Sequence, residues 1–208
     1  MDFSEFLNKK LHILEANLGG LDAQFRLAPK MRLKYDADKI KASNPKKAAV
    51  LALFYPSNNN ETCFLLTERA TYKGTHSAQI SFPGGKIDPK DINLRETALR
   101  ETYEEIGVPK NKITVLRELT DVFIPPSNFL ATPFLGYTNE EPKLITNYEV
   151  AKTLAIPVSE LLDGNNLSSI NITTSYATNI DVPCYKFNNH IVWGATAMIL
   201  SEIKELLK

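Results

Sequence analysis

Cysteine is scarce in this chain of 208 residues: Cys63 and Cys184 are the only two. Two thiols in strand-like stretches make no disulfide framework and read as buried thiols of a reducing compartment. Net charge is missing as well. Lysine plus arginine and aspartate plus glutamate stand at 24 each, so no net field points to a nucleic acid or an anionic membrane as partner. No apolar run approaches the roughly 18 residues of a membrane-spanning helix. The N-terminus brings acidic residues early and lacks a signal-peptide pattern, and Glu205, Leu206, Leu207 and Lys208 are not a peroxisomal address. Cytoplasm is therefore the expected compartment. Internal repeats and low-complexity segments are absent. So are a P-loop, a Ser-His-Asp arrangement and a zinc pattern, and His12 and His190 stand at no metal-ligand spacing.

What remains has the balance of an ordinary globular domain, 43% hydrophobic and 23% charged. The length predicts one domain, or one domain with an elaborated end. Residues 2–17 carry Phe3, Phe6, Leu7, Leu11, Leu14 and Leu18 at helical spacing, which predicts an amphipathic helix whose apolar side packs on the main domain or on a second copy of the chain in a homodimer. Residues 19–46 read as a mixed, lysine-rich linker. The division expected is an N-terminal helical extension over 1–45 and a main domain over 46–208.

Residues 48–54 form a continuous apolar run, a buried strand, and 62–67 its hairpin partner across an asparagine-rich turn. Residues 113–116, 131–137 and 185–192 also read as strands, and the run from Trp193 to Ala197 opens a terminal helix through Leu207. Pro125 and Pro126 form a rigid loop, either a connection or a wall of a cleft. Trp193, a large aromatic before a helix, is expected as a core anchor rather than as a platform for adenine.

The most informative stretch is 82–108. Pro83, Gly84 and Gly85 signal a loop, and Gly107 stands where a helix C-cap glycine belongs. Between them Leu94, Ala98, Thr102 and Ile106 recur every four residues along one helical face. Glu101, Glu104 and Glu105 fall at i, i+3 and i+4, so their carboxylates converge on a neighbouring patch of that helix and repel one another by a few tenths of a kcal/mol per exposed pair. Such a cluster is either a solvated acidic face or a site for a hard divalent cation, which removes the repulsion.

Gly85, Arg100-Glu101, Glu104-Glu105 and Gly107-Val108 resemble the Nudix box, Gly-x5-Glu-x7-Arg-Glu-U-x-Glu-Glu-x-Gly-U with U aliphatic. One residue more than the pattern holds lies between Gly85 and Arg100, so the first acidic position is Asp91 counted from Gly85 and Ile92 counted back from Arg100. Thr102 replaces an aliphatic residue. Upstream, Leu65-Leu66-Thr67-Glu68-Arg69-Ala70 and the segment from His76 through Gln79 to Phe82-Pro83-Gly84-Gly85 resemble the signature of the coenzyme A-directed Nudix subgroup, with Ala78 where that signature has glycine. The run from Trp193 to Ala197 is similar to that subgroup too.

The resemblance implies an α/β fold of the Nudix type, a mixed β-sheet sandwiched between helices, and metal-dependent hydrolysis of coenzyme A or acyl-coenzyme A to 3′,5′-ADP and 4′-phosphopantetheine or its acyl form. Mg²⁺ or Mn²⁺ would be held by Glu101, Glu105 and Glu104, with the Gly84 carbonyl, and would act as Lewis acid while lowering the pKa of a bound water. Glu101 is the first candidate to orient or deprotonate that water. Glu140, Glu141 and Glu149 could take that role instead, although each taken singly is more simply surface charge. Arg100 among carboxylates is expected to orient them. Arg69, Lys73, Gln79 and Lys86 are the candidates for substrate binding, and His76 for a structural or substrate-orienting role. Two other readings stay open: hydrolysis of another diphosphate, such as ADP-ribose or a nucleoside triphosphate, and a non-catalytic nucleotide-sensing module.

Overall fold

Asp2 starts the first helix, α1 (Phe3–Asn8): its carboxylate accepts from the Glu5 amide while the Glu5 side chain accepts from the Asp2 amide, a reciprocal cap. The computed structural model describes residues 1–70, 79–174 and 177–208. The chain does not continue α1 into the single helix that residues 2–17 predict. It turns at Lys9 into α2 (Lys10–Glu15), leaving Leu11 and Leu14 exposed. Tertiary anchors force the break. The Phe3 amide donates to the Asn60 carbonyl and the Thr62 amide to Met1, pinning α1 to a strand turn, whereas Arg117 holds the Ile13 and Ala16 carbonyls at the far end of α2. Phe6 then stacks on Phe54 at 5.1 Å and Ile13 is buried. Next come α3 (Gly20–Phe25) and, where a linker is expected, α4 (Ala37–Ala42), capped by the Asp36 carboxylate.

The apolar run expected at 48–54 lies within β1 (Lys46–Pro56), and β2 (Thr62–Arg69) returns antiparallel to it. Two short strands follow, β3 (Ile80–Ser81) and β4 (Gly84–Lys86), then helix α5 (Leu94–Ile106). β5 (Thr114–Glu118), β6 (Val122–Ile124), β7 (Phe129–Tyr137) and β8 (Val150–Pro157) complete a mixed sheet, with β1 and β7 parallel at its centre. The central order is β3-β2-β1-β7-β5; β8 pairs with β2, β4 with β1 and β6 with β7.

After α6 (Val158–Leu162) come β9 (Leu167–Thr174), β10 (Ala177–Phe187) and β11 (His190–Trp193), a separate sheet leading into α7 (Ala195–Leu207). The single strand expected over 185–192 is thus a hairpin. Asn188 takes a φ of 51°, a left-handed conformation asparagine tolerates, and the chain folds back so that Phe187 faces His190.

From Ala48 to Tyr55 β1 is apolar because both its faces are covered there. Ala49, Leu51, Leu53 and Tyr55 pack with Cys63, Leu65 and Phe134 beneath Ala98, Leu99 and Ile106 of α5. Ala52 and Phe54 belong to the other layer, with Phe64, Leu66 and Leu135, beneath α7 and the N-terminal helices. The fold is the α/β sandwich with a mixed sheet that the resemblance implies. Both cysteines are free and buried, and burial pushes the Cys63 thiol up to about 11. Glu202 of α7, fully buried, accepts bonds from the Gly20 amide, Gln24 Nε2 and both the amide and hydroxyl of Thr120; one carboxylate thereby ties α3, α7 and the β5–β6 connection together. Among the described residues no helix is long and apolar enough to cross a membrane.

Candidate active site

The site begins where β4 is wedged between β1 and α5. Gly84 pairs with Val50 and Gly85 with Ala49. A Cβ on Gly84 would lie 2.3 Å from the Ala49 carbonyl oxygen, and one on Gly85 would lie 2.5 Å from the Glu101 carboxyl carbon. The pair of glycines therefore makes not the loop that the sequence signals but a strand squeezed from both sides, where only a missing side chain lets backbone and helix approach.

Asn93 caps α5 through its side chain, which accepts from the Glu96 amide, and Gly107 ends the helix in the left-handed conformation at φ 75°. The buried face carries Ala98, Thr102 and Ile106 with Leu94 half-buried at its start, as the four-residue spacing predicts. Next to that face, Glu101 and Glu105 project one turn apart toward β4 and line a cleft of 730 Å³. A Glu105 carboxylate oxygen accepts from the Gly84 amide at 3.1 Å.

Arg100 organises the carboxylates. Nε and Nη2 grip Asp91, Nη1 bonds Glu101 at 2.9 Å and Glu104 at 3.0 Å, and Nη2 also reaches the Lys86 carbonyl. All five N–H donors of Arg100 are taken up in this way, which leaves none for a phosphate in this arrangement. Asp91 is the acidic position counted forward from Gly85. Its side chain is only 4% exposed and accepts also from the Thr97 hydroxyl and the Asp88 amide. Arg100 and these donors hold the Asp91 carboxyl well below the usual carboxylate range, and Asp91 in turn raises the Arg100 guanidinium. The extra residue in the sequence pattern is absorbed in the loop before α5, and Asp91 meets the arginine all the same.

Glu104 is on the outer side of the helix, its side chain 52% exposed, and does not line the cleft. Across the cleft stand Arg69, Gln79, Lys86 and Glu149. Arg69 Nη2 pairs with Glu149 at 3.0 Å. Lys73 and His76 lie outside the described residues. Glu149 has no local sequence signal. It arrives because Asn147 donates its amide to the Glu105 carbonyl and accepts the Glu149 amide on its side chain, hooking the segment before β8 onto the end of α5. Glu140 and Glu141 are not brought to the cleft: Glu140 is paired with Lys112 on a different face, and Glu141 lines a cavity there.

Electrostatics set the inner carboxylates apart. Burial, with repulsion from Glu101 and Glu149, pushes the Glu105 carboxyl from its ordinary 4.5 up to about 7, against the Gly84 hydrogen bond, which favours ionisation. Burial also raises Glu101, opposed by Arg100. Among the described residues no three histidine, cysteine or acidic groups stand close enough to enclose an ion as they are placed. The donor chemistry nevertheless fits a hard divalent cation: buried carboxylate oxygens, mutually repelling and raised toward neutrality, around one polar cleft.

The family profile described as the NUDIX domain matches residues 45–172. A protein of Photorhabdus laumondii named as an uncharacterized Nudix hydrolase, NudL, is 34% identical over 142 residues, 68% of this chain and 75% of its own length. A protein of Yersinia pestis with the same name is 34% identical over 146 residues, 70% of this chain and 72% of its own. Among solved structures, a MutT/nudix family protein from Enterococcus faecalis has a TM-score of 0.52 at 15% identity, covering 85% of this chain and 71% of that one. That last likeness concerns the fold alone.

Proposed function

This chain belongs to the Nudix family and is a Nudix hydrolase, and from that premise we propose that it cleaves the diphosphate bond of coenzyme A or an acyl-coenzyme A with Mg²⁺ or Mn²⁺. The products are 3′,5′-ADP and 4′-phosphopantetheine or its acyl form. The observation that carries the reading is the convergence of Glu101, Glu105 and Glu149 with Arg69 and Lys86 on one cleft. Anionic phosphates enter such a site only when cations balance the carboxylates. The choice of coenzyme A is supported by the stretch 65–85, whose Arg69, Gln79, Ser81, Gly84 and Gly85 line that cleft.

When bound, the divalent cation neutralises the phosphates and lowers the pKa of a water. Glu101 and Glu105 would hold it, with the Gly84 carbonyl, and Glu104 would be the further carboxylate ligand. Arg100, fixed by Asp91, keeps Glu101 and Glu104 aimed. Arg69 and Lys86 receive phosphate oxygens, Gln79 hydrogen-bonds the substrate, and Lys73 adds a cation from the segment that follows Arg69. As Arg69 turns to the diphosphate it releases Glu149. Glu101 then orients the attacking water and a Glu149 carboxylate oxygen accepts its proton as the water oxygen bonds to one phosphorus, the bridging P–O bond breaks and the other phosphate leaves with the bridging oxygen.

Incubation of the protein with coenzyme A and Mg²⁺ or Mn²⁺, with chromatographic detection of 3′,5′-ADP and ADP-ribose in parallel, tests this. Metal-dependent appearance of 3′,5′-ADP is expected. Intact coenzyme A beside cleaved ADP-ribose would move the substrate elsewhere in the family.

A further inference from the structure

The cleft continues past the carboxylates. Its wall residues Gln79, Ser81 and Ile124 also bound a cavity of 140 Å³, which shares Arg32, Pro126 and Trp193 with another of 220 Å³. The three adjoin one another through these shared walls, as one trough would. At its far end Trp193, Tyr35, Pro29, Pro125, Pro126 and Ile180 supply flat or apolar walls, and Lys34 lines it too. Trp193 is therefore not the core anchor that its place before a helix predicts. It ends β11 opposite Cys184, is half-buried and lines both smaller cavities.

These walls are held in place. The Tyr35 ring packs on Phe123 at 5.3 Å, and Lys34 Nζ stands 5.8 Å from the Tyr35 ring centroid. Arg32 Nη1 donates to the Phe123 carbonyl and to Met198 Sδ, bracing the segment against β6 and α7. Each smaller cavity lies below the about 300–1,000 Å³ of a site for a whole ligand, so the far end takes one group of an elongated molecule. Two aromatic rings, prolines and lysine and arginine cations suit a flat heteroaromatic ring that carries phosphate. An aliphatic amide chain offers neither a face to stack nor a charge for Lys34.

We propose that the far end of this trough, between Trp193 and Tyr35, is the nucleobase subsite, receiving the adenine-nucleotide half of the substrate while its diphosphate reaches the carboxylates. The inference rests on the reading of the chain as a hydrolase of a nucleotide-containing diphosphate, and it gives the N-terminal extension a part in substrate recognition.

Trp193 is the only tryptophan in the sequence, so its fluorescence reports on this subsite alone. Full-length protein in chelator is titrated with 3′,5′-ADP and, separately, with 4′-phosphopantetheine. Saturable quenching by 3′,5′-ADP and none by 4′-phosphopantetheine is expected, and Tyr35→Ala, which keeps the reporter, weakens 3′,5′-ADP about tenfold, the effect of losing one stacked ring. No quenching by 3′,5′-ADP at millimolar concentration, or quenching by 4′-phosphopantetheine alone, overturns the assignment. Unchanged affinity in folded Tyr35→Ala overturns it as well. Because the readout needs no turnover, coenzyme A cleavage without quenching refutes the subsite and leaves the activity, whereas quenching without cleavage does the reverse.

Discussion

Glu105→Gln separates stability from function at the centre of the cleft. In the metal-free protein the Glu105 carboxyl is raised from 4.5 to about 7, so the folded state binds its proton more tightly than the unfolded chain does. The sign follows from linkage: stability is fully present below about pH 4.5 and falls as pH rises toward 7, because ionising this group costs more in the folded protein. At about 1.4 kcal/mol per pH unit the difference approaches about 3 kcal/mol at pH 8. Partial solvent access at the cleft reduces it, and about 2 kcal/mol is the expected gain on replacing the carboxylate by a neutral isostere whose oxygen still accepts from Gly84. For a chain of this size that is about 4–8 °C in Tm. Calorimetry in chelator at pH 8 should therefore show the variant melting higher than wild type, with the gap shrinking below about 1 kcal/mol near pH 5. Mg²⁺ or Mn²⁺ should raise the wild-type Tm and leave the variant's nearly unchanged, and turnover should be abolished in a folded protein. A variant no more stable than wild type at pH 8 in chelator, or a gap that does not depend on pH, would refute the electrostatic reasoning, and wild-type rates would refute the metal assignment.

Other perturbations test the shell around it. Asp91→Asn leaves Nε and Nη2 of Arg100 facing a neutral amide, with only Glu101 and Glu104 still paired to its Nη1; we expect about 2–4 kcal/mol lost in chemical denaturation and turnover reduced about 10–100-fold through misaimed carboxylates. Gly85→Ala sets a methyl against the movable end of Glu101, so circular dichroism should show a folded protein while calorimetric titration shows metal affinity falling at least about tenfold. Gly84→Ala meets backbone instead and should cost about 3 kcal/mol or more in denaturant unfolding. Glu149→Gln should lower kcat with little change in KM, and the acidic limb of the pH–rate profile should change with it; an unchanged profile would return the base to Glu101. Glu202→Ala, far from the cleft, should destabilise by about 3 kcal/mol yet keep the activity per folded molecule.

Much of this was written in local sequence. The apolar run in β1 reads as a doubly buried strand, and the four-residue spacing of Leu94, Ala98, Thr102 and Ile106 fixes which face of α5 is buried. Both follow from local periodicity, which the backbone geometry of strands and helices converts directly into sidedness. With Glu101 and Glu105 one turn apart on α5, the chain alone determined that two carboxylates share a patch next to that face. What it could not determine were relations between segments far apart. The N-terminal helix broke at Lys9 because its two ends are tied to different strands. The glycines before α5 proved necessary for the approach of β1 and Glu101 rather than for a turn. Asp91 found Arg100 despite an irregular spacing, since a loop can absorb one residue while a bidentate ion pair fixes its end. Glu149 entered the cleft through hydrogen bonds of Asn147 to α5, and Trp193 and Tyr35 came to line one cavity. Periodicity and spacing act within one element, whereas a site is made where elements meet, and only packing decides which of them do.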